Sequence, residues 1–231
     1  MGSIAESLRT AITLILSGDR DVVSAVETSL GVALWSVLIA SAIGVPLGVA
    51  VALGKFPMKR TVRVVLNSLM AIPTVVIGLL VYGLLSRQGP LGFLGLLFTP
   101  RAMIIGQAIL ATPIVANYTA SAVQGADERI LPTALTLGAS SLQSMIQLAR
   151  EVRFGIMASI IAGFGRVISE VGIAMMLGGN IRFFTRTMTT AIAMETSKGE
   201  FAFGLALGVI LMAVSFAINV FLTVAQESHR A

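Results

Sequence analysis

DERILPTALTLGASSLQSMIQLAREVR, running from Asp127 to Arg153, decides how the rest of this chain is read. It lies between two long apolar stretches and is too polar to sit in lipid itself. Its residues spell two short helices with a hinge. Pro132 suits the first helical position, where a missing N–H costs no intrahelical bond. Leu131, Ala134, Leu135 and Gly138 recur at helical spacing, and Gly138 ends the run because glycine turns left-handed without steric cost. Ser140 and Gln143 form a capping-box pair that opens the second helix. Leu142, Met145, Ile146 and Ala149 make that helix's apolar stripe.

The composition around this interval belongs to a membrane. Hydrophobic residues make up 56% and charged residues 12% of the 231. A soluble domain carries about 25% charge, so the chain reads as an all-α integral membrane protein. Long apolar runs without ten-residue alternation favour helices over a barrel. The net charge of +5 falls mainly in loops and reads as topology information, with no nucleic-acid partner implied. With no cysteine, disulfides and thiolate metal sites have no residues. One histidine, His229 in the tail, leaves zinc and Ser-His chemistry without material. Gly54-Lys55 is the only Gly-Lys pair, with Val49 and Phe56 where a phosphate-cradling loop needs glycine and Ser/Thr. The chain is therefore expected to be no enzyme, to hold no metal or cofactor, and not to hydrolyse ATP by itself.

The pattern predicts about five spans preceded by an amphipathic segment at 5–17 that is too short to cross ~30 Å of hydrocarbon. That segment is expected to lie at the interface, with Ser17 to Asp21 as a loop, so that residues 1–25 stand apart from a single transmembrane unit at 26–225 and a cytoplasmic tail at 226–231. The first span runs from Val26 to Leu53 and contains Gly44-x-x-x-Gly48, a close-approach motif expected to pack against another span of the same subunit. Lys55, Lys59, Arg60 and Arg63 mark the cytoplasmic end, which places the N-terminus outside. The second span, Val64 to Leu85, has Pro73 in its middle. The third runs from Ala102 to Val123, the fourth from Phe154 to Leu177 and the last from Phe201 to Ala225. Residues 181–200 suggest a short outer or re-entrant helix. Met175, Met176 and Met188 read as packing material.

Arg166 and Glu170 are the most informative charges. Four residues apart, they share a helix face near the middle of the fourth span, where an isolated charge costs ~2.5–3.5 kcal/mol. They are expected to pair and to mark the translocation path or its gate. Ser169, Thr112, Asn117 and Asn180 are further polar candidates, each equally able to bond a neighbouring backbone. Arg182 and Arg186 stand at the outer end of this span as a possible positive approach for an anion or as solvated loop charges.

Two stretches carry a family resemblance. Pro132-Thr133-Ala134-Leu135-Thr136-Leu137-Gly138-Ala139 resembles the cytoplasmic coupling loop of ABC importer permeases, with Pro132 where that family usually has Glu. Gly165-Arg-Val-Ile-Ser-Glu-Val-Gly-Ile-Ala-Met-Met-Leu-Gly-Gly-Asn-Ile181 resembles permeases of oxyanion importers, and most of all the tungstate subgroup. Arg150-Glu151-x-Arg153-Phe154 is similar to the same subgroup and stands where other permeases have Leu-Pro. The resemblance implies a permease subunit of a type I ABC importer in a bacterial or archaeal cytoplasmic membrane. It implies a second copy of the chain, two ATPase subunits that bind Mg-ATP, an extracytoplasmic binding protein, and tungstate or molybdate as cargo. Pro132, Thr133, Ala134, Leu135, Leu137, Gly138 and Ala139 would meet the ATPase. The competing reading is a self-sufficient secondary transporter or channel using Glu170 as an ion relay.

Overall fold

A computed structural model describes residues 4–54, 56–127 and 129–227. The described residues form helices α1 (Ile4–Leu16), α2 (Arg20–Leu53), α3 (Lys59–Met70), α4 (Thr74–Leu85), α5 (Pro100–Gln124), α6 (Ile130–Thr136), α7 (Ser141–Glu151), α8 (Arg153–Ile168), α9 (Gly172–Gly178), α10 (Met188–Lys198) and α11 (Phe201–Glu227). Lys55 and His229 lie outside the described residues.

Three helices, α2, α5 and α11, are each long and apolar enough to cross a membrane; two bent pairs, α3–α4 and α8–α9, raise the number to five if each pair is one span. The expectation of about five spans is matched if each bent pair counts as one span. The second span is not a kinked rod around Pro73. α3 ends at Met70, Pro73 caps α4, and the two axes differ by 95°. Proline lacks the N–H that would continue the ladder, and the residue before it disfavours α geometry. Pro46 and Pro113, by contrast, lie inside unbroken helices.

α2 begins earlier than the sequence pattern suggested. Asp19 caps it by accepting hydrogen bonds from the backbone N–H groups of Asp21 and Val22, so the expected loop is cut to Ser17–Asp19 and Arg20 and Asp21 are helical. α1 packs along α11.

The packing centre is α5. α2 crosses it where Gly44 and Gly48 remove side chains. A Cβ on Gly48 would stand 2.5 Å from the Ala116 carbonyl oxygen and 2.7 Å from the Thr119 Cβ; on Gly44 it would stand 2.9 Å from the Thr112 carbonyl oxygen. The glycine pair therefore packs within the subunit. α8 packs on α5 beside α2 through Gly155 and Gly163, which face Ala122 and Val115, and through a 3.0 Å hydrogen bond between the Ser159 and Thr119 hydroxyls. α9 closes on α5 at Gly106, where a Cβ would meet Ile173 and Leu177 within 2.6 Å. Small residues let backbones approach closely enough for dispersion to hold helices together without a hydrophobic driving force. Met188 is fully buried in the cluster formed by α2, α5, α8, α10 and α11, as packing material should be.

Gly48→Leu is expected to push α2 off α5 and to cost about 1–3 kcal/mol, the range for overpacking. The unfolding midpoint of the detergent-purified chain should fall accordingly, while Gly31→Leu, whose Cβ position is open, should leave it unchanged.

Candidate functional site

The break between α8 and α9 bends the fourth span by 61° and holds the charged pair. Arg166 is in the last turn of α8, but Glu170 lies beyond the helix end, so the two do not share a helix face as the spacing suggested. They pair all the same. Arg166 Nη1 donates to Glu170 Oε2 at 2.8 Å. The other carboxylate oxygen, Oε1, accepts the backbone N–H of Ile173 at 3.2 Å. Glu170 thus caps the N-terminus of α9, where a negative charge meets unsatisfied donors. Its side chain is 3% exposed and that of Arg166 40%. One end of the pair is sealed and the other opens to the surface.

The two broken spans meet here. α9 packs on α4, and a Cβ on Gly172 would stand 3.2 Å from Thr74 Oγ1, at the start of α4. The exposed Ser169 bonds the carbonyls of Gly165 and Arg166 and so finishes α8.

The other polar candidates separate. Thr112 bonds the Ala108 carbonyl of its own helix. Asn117 donates across to Asn67 on α3, a tie the sequence did not single out. Asn180 is buried, in the left-handed region at φ +51°. It accepts from Thr190 at 2.9 Å and donates to the Met194 sulfur at 2.8 Å. Arg166, Ser169 and Glu170 are therefore brought together, Asn180 belongs to a neighbouring hydroxyl cluster, Thr112 bonds within α5, and Asn117 ties α5 to α3.

Arg182 and Arg186 are neither free nor merely solvated. Arg182 makes a two-pronged contact with Asp21, whose carboxylate pushes the guanidinium pKa further up. Arg186 lies 3.6 Å from Glu195 with both side chains 12% exposed, and Lys198 joins Glu195 at 3.0 Å. Asp21, Arg182, Arg186, Glu195, Lys198, Glu200 and Phe203 line a cavity of about 350 Å³. Three cations and three anions there leave no positive funnel for an anion. Asp21 was missed because it sits far in sequence from Arg182, and Glu195 because its pairing with Arg186 depends on how α10 turns back on the loop before it.

At the opposite end the α6–α7 hairpin follows the sequence closely. α6 starts at Ile130, so Pro132 occupies its third position rather than the first, still within the turn whose N–H groups lack partners. Gly138 has φ +86° with open space at its Cβ position. Its N–H bonds the Leu135 carbonyl and that of Ala139 the Ala134 carbonyl, both at 3.0 Å. This is a complete Schellman ending. Both halves of the Ser140–Gln143 capping box are present. α7, however, turns Ser144 and Leu148 inward. Its stripe of Leu142, Met145, Ile146 and Ala149 faces out, as do Leu135 and Leu137. Beside it, Arg129 grips Asp127 and holds that carboxylate below its ordinary pKa.

Broken spans around a sealed charge, with a helical hairpin presenting an uncovered apolar face at one end, define a multi-pass helical transport subunit. Residues 44–228 match the family described as binding-protein-dependent transport system inner membrane component, and the chain belongs to that family. It is 42% identical to the tungstate uptake system permease protein TupB of Peptoclostridium acidaminophilum over 98% of this chain and 100% of the relative. It is 38% identical to the protein of the same name in Campylobacter jejuni over 94% of this chain and 90% of the relative. Among solved structures it resembles an inward-facing MetNI methionine ABC transporter at TM-score 0.75 and 18% identity, covering 90% of this chain and 95% of that one. This last likeness establishes the fold. The secondary-transporter reading is not favoured.

Arg166→Ala is expected to cost more than Glu170→Gln, about 2–3 kcal/mol against about 1, because it strands a buried carboxylate while the reverse change frees a side chain that already reaches the surface. The double replacement should cost less than the sum of the two. A double-mutant cycle on thermal unfolding checks this; additive losses would show that the two side chains do not support each other.

Proposed function

We propose that two copies of this chain form the membrane path of an ATP-driven importer for tungstate, with molybdate as second substrate. The observation that carries this reading is the 42% identity to a tungstate uptake permease along 98% of the chain. Molybdate follows because it is a tetrahedral dianion of nearly the same size. The importer works in the cytoplasmic membrane of a bacterium or archaeon. An extracytoplasmic binding protein delivers the anion, and two ATPase subunits bind Mg-ATP and drive the cycle; this chain itself needs no cofactor.

The division of labour follows from the chain's own chemistry. Pro132, Thr133, Ala134, Leu135, Leu137, Gly138 and Ala139 present α6 to the ATPase, and the outward stripe of α7 extends that contact. Arg166, Ser169 and Glu170 form the gate region, where two interrupted spans meet. Thr112, Asn117 and Asn180 support it through packing. The outer arginines are already matched with carboxylates, so the permease does not grip anions from outside. Selectivity then resides in the binding protein, and the permease is free to release what it passes.

Uptake of labelled tungstate by the reconstituted complex should be competed by molybdate more than by sulfate or phosphate. Equal competition by phosphate would overturn the substrate while leaving the permease role standing. Gly138→Val should force a branched side chain into a left-handed backbone, at roughly 1–2 kcal/mol. It is expected to preserve insertion but to lower uptake per ATP hydrolysed. Unchanged uptake with unchanged ATP hydrolysis would remove the coupling role from α6.

A further inference from the structure

The break at Glu170 leaves a backbone carbonyl to account for. In a continuous helix the Glu170 carbonyl would accept the N–H of residue 174, but α8 has ended at Ile168 and α9 begins at Gly172. The group is buried, and a buried unpaired carbonyl costs about as much as a lost hydrogen bond. Thr189, on the first turn of α10, supplies the partner: its hydroxyl donates to the Glu170 carbonyl at 2.8 Å. Both residues are buried, at 6% and 3% exposure.

Counting hydrogens orients the rest of the cluster. A threonine hydroxyl has one hydrogen. Thr189 spends its own on Glu170, so its 3.0 Å contact with the Thr187 hydroxyl must be donated by Thr187. Thr187 in turn accepts the backbone N–H of Thr190 and caps α10. Thr190 accepts the Thr187 N–H at 2.9 Å and gives its hydrogen to Asn180 Oδ1. Asn180 then donates to Met194 on α10. One further bond anchors the assembly from α2: the backbone N–H of Met188 donates to Ser29 Oγ at 2.7 Å. Thr187, Thr189 and Thr190 thus build two linked hydrogen-bond chains, one ending on the Glu170 carbonyl and the other passing through Asn180 to Met194. Together they run from the break in the fourth span to α10, whose far turn carries Glu195 in the outer ion cluster with Arg186 and Lys198.

We propose that Thr189 is a positioning residue for transport. It holds the Glu170 break in register with α10, so that displacement of α10 by a protein docking on the outer charged face moves the break itself. Glu170 is gripped from three elements at once: α8 through Arg166, α9 through the Ile173 N–H, and α10 through Thr189. The grip from α10 leads on to the outer ion cluster, because the same helix carries Glu195. A valine at 189 keeps the β-branched shape but leaves the Glu170 carbonyl without its donor, while the Thr187 hydroxyl can still turn to Thr190 Oγ1 at 3.1 Å. A serine keeps the donor and loses only a methyl.

This inference rests on the transport reading above. The test uses the complete complex of permease, ATPase and binding protein in proteoliposomes, with tungstate as the probe. Failure of the wild-type complex to take up tungstate would count against that reading; the proposal here is judged on the ratio of variant to wild type. Thr189→Val should reduce uptake about tenfold, the loss expected when one bond is removed and a buried carbonyl is left unpaired. It should also blunt the stimulation of ATP hydrolysis by the loaded binding protein, while hydrolysis without that protein is retained. Thr189→Ser should restore both to within about twofold. Hydrogen exchange in the assembled complex should rise in 169–175 for the valine variant and not for the serine one. Wild-type uptake by Thr189→Val, or equal loss in the valine and serine variants, would overturn the assignment. If the valine variant does not assemble, the serine variant decides: full stimulated uptake supports the donor's role, and its loss refutes it.

Discussion

A carbonyl or N–H inside a bilayer must find a partner within the protein, because hydrocarbon offers none. That constraint governs this fold. Where the chain runs straight, in α2, α5 and α11, each helix satisfies itself. Where it breaks, at Ile72–Pro73 and at Ser169–Val171, something else must intervene. At the second break the substitutes are visible one by one. Ser169 takes the last carbonyls of α8, the Glu170 carboxylate takes an early N–H of α9, and Thr189 takes the Glu170 carbonyl. A break so fully supported can hold a single geometry, and moving a neighbour moves it.

The same economy explains the charges. Among the described residues the strongly buried carboxylates have opposite partners: Glu170 with Arg166, Glu195 with Arg186 and Lys198. Burial of a lone charge is too costly to be sustained, whereas a pair with additional hydrogen bonds is tolerated. The outer face consequently presents balanced charge, suited to meeting another protein. The opposite end presents apolar side chains on a rigidly capped hairpin. The two ends face different kinds of surface, and the broken spans lie between them.

Much of this was legible in the residues themselves. Composition determined the membrane class. Gly138, Ser140 and Gln143 determined the hairpin, because a left-handed glycine and a capping box are local events needing only a few neighbouring residues. Gly44 and Gly48 announced a close helix crossing, and Arg166 with Glu170 announced a pair. The run from Gly165 to Ile181 indicated the oxyanion permease group before any fold was known.

Only the tertiary structure decided which partner each group takes. Nothing local to α7 says that Ser144 and Leu148 turn inward while Leu142, Met145 and Ile146 face out; the choice depends on α8 and the ends of α2 and α5 filling one side. Nothing near Arg182 reveals Asp21. Thr189 reads as an ordinary helix-start residue until α10 is laid against the break. Caps, turns and composition are properties of short stretches, and sequence determines them. The pairing of a buried polar group depends on which distant helix arrives beside it, and that is settled by packing.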